Sequence, residues 1–199
     1  MDDIMGLPAY EKVREQFRRR IIELKKRRRV SVGDKVSLVF ENRDTVIFQI
    51  QEMLRAERIT DLDKIREEIE VYNSLIPEPG ELSATLFLEI EDQSHLREEL
   101  LKFLGIDEVV FLKIGDRYSI HAKFEEGHSK EDKISAVQYV KFPFTQGEIH
   151  AFAKGPGDVI LLIDHPNYRA STTIEAEIRE SLTQDLMSQG DQKWRTSGG

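Results

Sequence analysis

The stretch 40-FENRDTVIFQIQEMLRAE-57 contains the helix around which the rest of the chain is predicted to pack. Asn42 is a favourable N-cap, and at 100° per residue the following aliphatic side chains fall into one apolar sector. Arg43 and Glu57 fall into the same sector, in the first and the last turn. Because burying an unpaired charge is costly, both residues must reach solvent, find partners or line a polar cavity.

The opposite side of this helix carries Phe48 together with Glu52 and Arg55. A large aromatic ring on a charged face is unusual for a helix whose outer side is exposed to water. We therefore expect the helix to be covered on two sides, by the body of the protein and by another helix or a partner chain.

The charge of the chain is unevenly distributed. The formal net charge is −8, but Glu11–Arg29 holds ten Lys/Arg and three Glu, so this segment is +7 and the remainder is −15. A basic amphipathic helix is predicted over 10–29. Its predicted basic surface consists of Arg14, Arg18, Arg19, Lys25, Lys26, Arg27, Arg28 and Arg29. Such a helix binds an acidic protein, an anionic membrane surface or nucleic acid, or it pairs internally with the acidic remainder; nucleic acid is the disfavoured partner.

Composition and motifs exclude several classes of protein. The chain has no cysteine, which excludes disulfides, thiolate metal sites and a cysteine nucleophile. It contains no 18-residue apolar run and no leader-like start, so we expect a cytoplasmic protein without a membrane span. The Walker-type, dinucleotide-binding and GxSxG motifs are all absent, and nothing in the sequence identifies a cofactor.

The downstream sequence predicts mainly strands. Leu82–Ile90 alternates apolar and polar residues, Gly115-Asp116 lies between two strand-like runs as a hairpin turn, and Thr145 with Glu148 forms a capping box. The fold class is therefore α+β, with a mostly antiparallel sheet of five or six strands packed with helices after a long basic N-terminal helix. One domain is expected over 1–188, followed by a disordered tail at 189–199. Within that domain we predict a helical pair over 42–76, a sheet-forming part over 82–164 and a C-terminal helix over 172–188.

One polar cluster is the best candidate for a functional site. If the helical pair lies on the sheet, several polar side chains converge beside it. They are Glu41, Arg43, Gln49, Glu57, Tyr72, Asn73, Gln138 and Tyr139. A carboxylate beside a guanidinium and amide groups can bind a polar ligand or take part in acid–base chemistry, or it can be a purely structural network between helix and sheet.

Metal binding is not supported by the spacing of the five histidines, because no HxH, HxxxH or HExxH pair occurs. The best local set, Glu125, Glu126, His128 and Asp132, lies in a polar stretch that reads as a solvated loop. No metal site is therefore predicted.

Five segments together resemble one bacterial family, domain of unknown function 3501. They are VREQFRRR (13–20), RRVSVG (28–33), FENRDTVIFQIQEMLRAERI (40–59), YNSLIPEPGELSATLFLEI (72–90) and SAVQYVKF (135–142). The resemblance implies a single-domain cytoplasmic protein, often encoded near rubrerythrin-like and iron–sulfur redox proteins. It also implies that a His often stands where this chain has Gln138, so a metal site at that position is not expected here.

Two main functional hypotheses follow. The first is a non-catalytic interaction or accessory protein in a redox or oxidative-stress context, with a rubrerythrin-like or iron–sulfur protein as partner; homo-oligomerisation stays open. The second is a small-ligand-binding protein or enzyme with a polar site around Arg43 and Glu57. Nucleic-acid binding through the basic helix is a third alternative.

Overall fold

The computed structural model describes residues 3–125, 129–130 and 133–188. The helices are α1 Leu7–Lys26, α2 Arg43–Ala56, α3 Leu62–Asn73, α4 Leu96–Leu101, α5 Gln146–Lys154 and α6 Ala176–Ser188. The first strands are β1 Arg29–Val32, β2 Val36–Glu41, β3 Glu81–Leu88, β4 Val110–Ile114, β5 Tyr118–His121 and β6 Lys123–Phe124. They are followed by β7 Ser129–Lys130, β8 Lys133–Ile134, β9 Val137–Pro143, β10 Val159–His165 and β11 Tyr168–Thr173.

The strands form two main antiparallel sheets around a shared core. The first has the order β1-β2-β3-β9-β6 and the second β11-β10-β4-β5, while β7 and β8 form a separate pair. Apolar side chains from both main sheets, and from α5 and α6, belong to one buried cluster. The predicted α+β class with a five-stranded antiparallel sheet is confirmed. The second, four-stranded sheet was not predicted, because local alternation identifies strands without showing which of them are neighbours.

The N-terminal helices cover the other face of the five-stranded sheet. Asn42 caps α2 as predicted, with its side chain accepting from the Thr45 amide at 3.1 Å. Apolar residues of α2, α3 and the turn after α3 form a second, smaller core, which Tyr139 of β9 joins. Because both faces of the sheet are covered, all six residues of β2 are buried.

The outer side of α2 is covered by α1. Phe48, predicted to face away from the body of the protein, meets Phe17 edge-to-face with ring centroids 5.8 Å apart. Glu52 accepts hydrogen bonds from Tyr10 at 2.7 Å and from Arg14 at 2.8 and 2.7 Å. The expectation that α2 is covered on two sides is confirmed, and the covering element is a helix of the same chain.

Two predicted helix boundaries differ from the structure. The helix predicted over 10–29 spans Leu7–Lys26, because Arg29 pairs with Val39 and begins β1. The helix predicted to start at Thr172 starts at Ala176, because Thr172 lies in β11 and its hydroxyl donates to the Ser31 carbonyl at 2.8 Å. In both cases pairing with the neighbouring strand of a hairpin replaced the helical conformation.

Candidate functional site

Arg43 and Glu57 do not share a site. Arg43 is the first residue of α2 and Glu57 is its C-cap, so a rise of 1.5 Å per residue separates them by about 21 Å. Arg43 forms an ion pair with Asp3, while Glu57 is exposed. The hypothesis of a polar site that contains both residues is therefore wrong: two positions in one sector of a helix lie far apart along its axis when several turns separate them.

The three amide residues of the predicted cluster lie in different environments. Gln138 is buried on the core face of β9, where its amide donates to the Ser135 carbonyl at 2.9 Å. Side chains alternate along a strand, so Gln138 points away from its neighbour Tyr139. Gln49 Oε1 and Asn73 Oδ1 are buried oxygens without a hydrogen-bond partner among the described residues.

Glu41, Tyr139 and Tyr72 do lie close together beneath the helices. Glu41 ends β2, is 2% exposed and accepts hydrogen bonds from Thr45 and, at 2.7 Å, from Thr85. Thr85 pairs directly with Tyr139 on the neighbouring strand. The register therefore places Glu41 and Tyr139 on the same face of the sheet, both next to Thr85.

The two tyrosines of this group have perturbed acidities. Burial raises the pKa of the Tyr139 phenol, and the Glu41 and Glu125 carboxylates raise it further. Burial also raises the pKa of Tyr72, and negative charge on Tyr139, Glu68 or Glu57 adds to this effect. Both phenols therefore stay protonated at neutral pH and can act as hydrogen-bond donors.

A row of four side chains crosses the helical face of the five-stranded sheet, one from each of four neighbouring strands. The pairings are Glu41 with Ser83, Ser83 with Lys141, and Lys141 with Lys123. We call these four residues the polar row. It runs from the buried carboxylate of Glu41 to the exposed ammonium of Lys123. The sequence analysis missed its last three members: alternation along β9 places Lys141 on the face of Tyr139, but only the sheet register places Lys123 beside it.

Most of the predicted basic surface is already paired with acidic groups. Arg14 binds Glu52, Arg29 binds Glu89, and Lys26 binds Glu23. Arg19 lies 3.9 Å from Glu15, and both of these side chains are exposed. The internal pairing that the charge distribution suggested accounts for these residues.

Arg28, predicted to belong to the basic surface, is buried. It is 1% exposed and donates to the carbonyl oxygens of Phe40 at 2.7 Å and Glu41 at 3.2 Å. It also donates to Ser181 at 3.1 Å and forms an ion pair with Asp185 of α6. The sequence carried no signal for this contact, because the partners lie about 150 positions downstream.

Three members of the predicted basic surface have no acidic partner in the part of the chain that the structure describes. Within the described ranges, no carboxylate lies at salt-bridge distance from Arg18, Lys25 or Arg27. Arg18 and Arg27 are exposed, and Lys25 is partly exposed. The uncompensated positive charge therefore lies on one side of α1 and just beyond its end.

The remaining sequence-based candidates add no site. Glu125 is exposed, whereas Glu126, His128, Asp132 and the tail 189–199 lie outside the described residues. In the part of the chain that is described, no three His, Asp or Glu side chains are arranged to hold a metal ion. No helix there has the combined length and apolar character needed to cross a bilayer.

Comparison with known proteins identifies a family and a similar structure. Residues 1–186 match the sequence profile of the family described as "Protein of unknown function (DUF3501)". The chain is 35% identical to a novel protein of unknown function from Burkholderia pseudomallei K96243, whose crystal structure was determined at 1.90 Å. The match covers 93% of this chain and 97% of that chain, with a TM-score of 0.86. The comparison with curated proteins found no match.

Proposed function

The chain belongs to the DUF3501 family of proteins of unknown function, and we propose that it is a non-catalytic interaction protein that binds an acidic protein partner through α1. The surface involved consists of Arg18, Arg19, Ile22, Lys25 and Lys26, and we call it the α1 outer face. Phe48 is not available to a partner chain, because it packs against Phe17. Arg43 and Glu57 do not form a joint site, because they lie at opposite ends of α2. The outer face of α1 remains as the surface that those contacts leave uncovered.

The observation that supports this proposal is the one-sided packing of α1. Of its twenty residues only Tyr10 and Ile21 are buried, and the contacts to α2 lie on that side. Ile22, which directly follows Ile21 and is rotated about 100° from it around the helix axis, is 41% exposed. Residues three and four positions away on a helix are surface neighbours, so Ile22 is surrounded by the four cations of the α1 outer face.

An acidic protein surface complements this arrangement in two ways. The cations attract and orient a negatively charged partner, while an apolar side chain at the centre of an interface loses its contact with water on binding. The existing Lys26–Glu23 and Arg19–Glu15 pairs are exposed and therefore weak. A partner carboxylate can replace Glu23 or Glu15 at little energetic cost.

The test starts with the rubrerythrin-like and iron–sulfur redox proteins that the family resemblance implies. Their affinity for the purified chain would be measured by calorimetry at low salt. We expect binding that weakens at least tenfold in Ile22→Asp and in the double variant Arg18→Glu/Arg19→Glu. The matched control is Lys64→Glu on α3, an exposed cation that should leave the affinity unchanged.

Two results would overturn the proposal. One is that none of these redox proteins binds, or that they bind the wild type and the α1 variants equally well. The other is that the α1 variants lose affinity for duplex DNA instead, with the steep salt dependence of phosphate contacts. That outcome would assign the face to nucleic acid.

A further inference from the structure

A small cleft lies where the polar row reaches the edge of the five-stranded sheet. Its volume is about 160 Å³, and it lies beside the end of α3. The residues that line it are Ser74, Leu75, Ser83, Lys123, Phe124, Glu125, Tyr139, Val140 and Lys141. The cleft is separate from the α1 outer face and plays no part in the protein interaction proposed above.

Two lysines are placed side by side at this cleft. Lys123 of β6 pairs directly with Lys141 of β9, so their Cβ atoms are about 5 Å apart and their side chains leave the same face of the sheet. Like charges in directly opposite positions are destabilising. Lys141 is compensated by Glu81 at 2.7 Å, but no carboxylate among the described residues is within salt-bridge distance of Lys123. Glu125 also lines the cleft. The ammonium group of Lys123, which has no salt bridge to any described carboxylate, is therefore the group with which a bound anion would pair.

Ser83 provides an independent indication of a ligand. It is 2% exposed, lines the cleft and stands next to Lys141 in the polar row. None of the hydrogen bonds between described residues uses its hydroxyl group. Because this hydroxyl borders the cleft, it can donate a hydrogen bond to an acceptor that binds there.

The size of the cleft limits what can bind. A volume of about 160 Å³ is well below the roughly 300–1,000 Å³ of pockets that hold drug-sized ligands. This is enough for a small carboxylic acid or for inorganic phosphate, and far too small for a nucleotide or a flavin. The half-buried ring of Tyr139 forms one wall of the cleft.

We propose that this cleft binds a small oxyanion, either a carboxylate or a phosphate group. The anionic group lies between the ammonium groups of Lys123 and Lys141 and accepts a hydrogen bond from the Ser83 hydroxyl. Charge-assisted hydrogen bonds of this kind are stronger than neutral ones, and an ammonium group suits either anion as a point charge.

The test is calorimetric titration of the full chain with acetate, succinate and inorganic phosphate at low ionic strength. We expect at least one of the three to bind, and the preferred probe distinguishes a carboxylate site from a phosphate site. Lys123→Met and Lys141→Met should each weaken the binding of that probe at least tenfold, and Ser83→Ala should weaken it severalfold. Lys113→Met, which removes an exposed lysine from β4 in the other sheet, should leave the affinity unchanged.

Lys123→Met keeps the test decisive even if Lys141→Met unfolds the protein after losing Glu81. Lys123 is exposed and unpaired within the described structure, so its replacement should not affect folding. The proposal is overturned if none of the three anions binds the wild type, or if Lys123→Met binds the preferred anion as tightly as Lys113→Met does. Because the variants lie on β3, β6 and β9, failure here leaves the α1 interaction untouched.

Discussion

The buried pair of Arg28 and Asp185 gives the sharpest test of how this fold is held together. The Arg28 side chain is 1% exposed and that of Asp185 is 9% exposed. Arg28 follows α1 and Asp185 lies in α6, so the pair joins the two ends of the described chain. We predict that Arg28→Met is strongly destabilising, and that Asp185→Leu in the same molecule relieves much of the loss.

The expected magnitudes follow from which groups lose their partners. Breaking a buried ion pair from one side costs about 3–5 kcal/mol, so Arg28→Met, which leaves the Asp185 carboxylate unpaired, should lower the free energy of unfolding by about 4–5 kcal/mol. Asp185→Leu should cost less, about 2–3 kcal/mol, because Arg28 keeps its bonds to two carbonyls and to Ser181. The loss in free energy of unfolding of the double variant should be at least 2 kcal/mol smaller than the sum of the losses of the two single variants.

The same pair predicts a dependence on pH with a definite sign. Burial raises the pKa of Asp185 more than Arg28 lowers it. A raised pKa in the folded state contributes stability at pH values below the unfolded pKa, and this contribution is lost as the pH rises. Arg28→Met removes the lowering influence, so the pKa of Asp185 rises further. The difference in stability between wild type and Arg28→Met should therefore shrink as the pH is lowered from 7 to 5.

The assay is urea unfolding followed by circular dichroism for the four members of the cycle, at both pH values. Linear extrapolation gives each free energy of unfolding. Additivity of the two single losses within about 0.5 kcal/mol would refute the argument, because residues that interact directly should not behave independently. If the difference in stability between wild type and Arg28→Met widens as the pH is lowered, the raised pKa of Asp185 is refuted.

Three smaller contacts provide further predictions. Arg179 donates to four carbonyls around the end of α5, so Arg179→Lys should cost about 2–3 kcal/mol in urea unfolding. Gly33 has φ +74°, and an added Cβ would clash with the Tyr168 hydroxyl, so thermal unfolding should show that Gly33→Ala is destabilised. Helical Gly147→Ala, which meets no such clash, should instead gain about 0.5–1 kcal/mol. The hydrogen bond from Arg14 lowers the pKa of Glu52, so the stability advantage of wild type over Glu52→Gln, about 1–2 kcal/mol at neutral pH, should disappear as the pH falls through that lowered pKa.

The elements predicted correctly are those with local causes. Asn42 caps α2 and Thr145 caps α5 through hydrogen bonds that span three residues. Alternation along β3 correctly identified Leu82, Leu86 and their alternate neighbours as core residues. Such signals depend only on residues within about one helical turn or two strand positions of each other, so they can be recognised from the sequence alone.

The candidate site was predictable only in part, for the same reason. Glu41 and Tyr139 were identified as polar residues near the helical pair, and the structure brings them together beside Thr85. Lys123 was missed because only the sheet register, which pairs it with Lys141, places it beside the cluster. Arg43 and Glu57 lie in one sector of α2, as predicted, but nearly four turns of the helix separate them along its axis.

The sequence by itself determined the class of each long element, the apolar side of α1, α2 and β3, and the charge imbalance between the N-terminal segment and the rest. Tertiary structure alone decided that Arg28 is buried against Asp185, that Phe48 is covered by Phe17, and that Lys123 stands beside Lys141. The physical reason is the distance along the chain between the residues that interact. Helix caps and hydrophobic periodicity involve neighbours in the chain, whereas strand register and buried ion pairs depend on closing long loops, and these contacts leave no pattern in the local sequence.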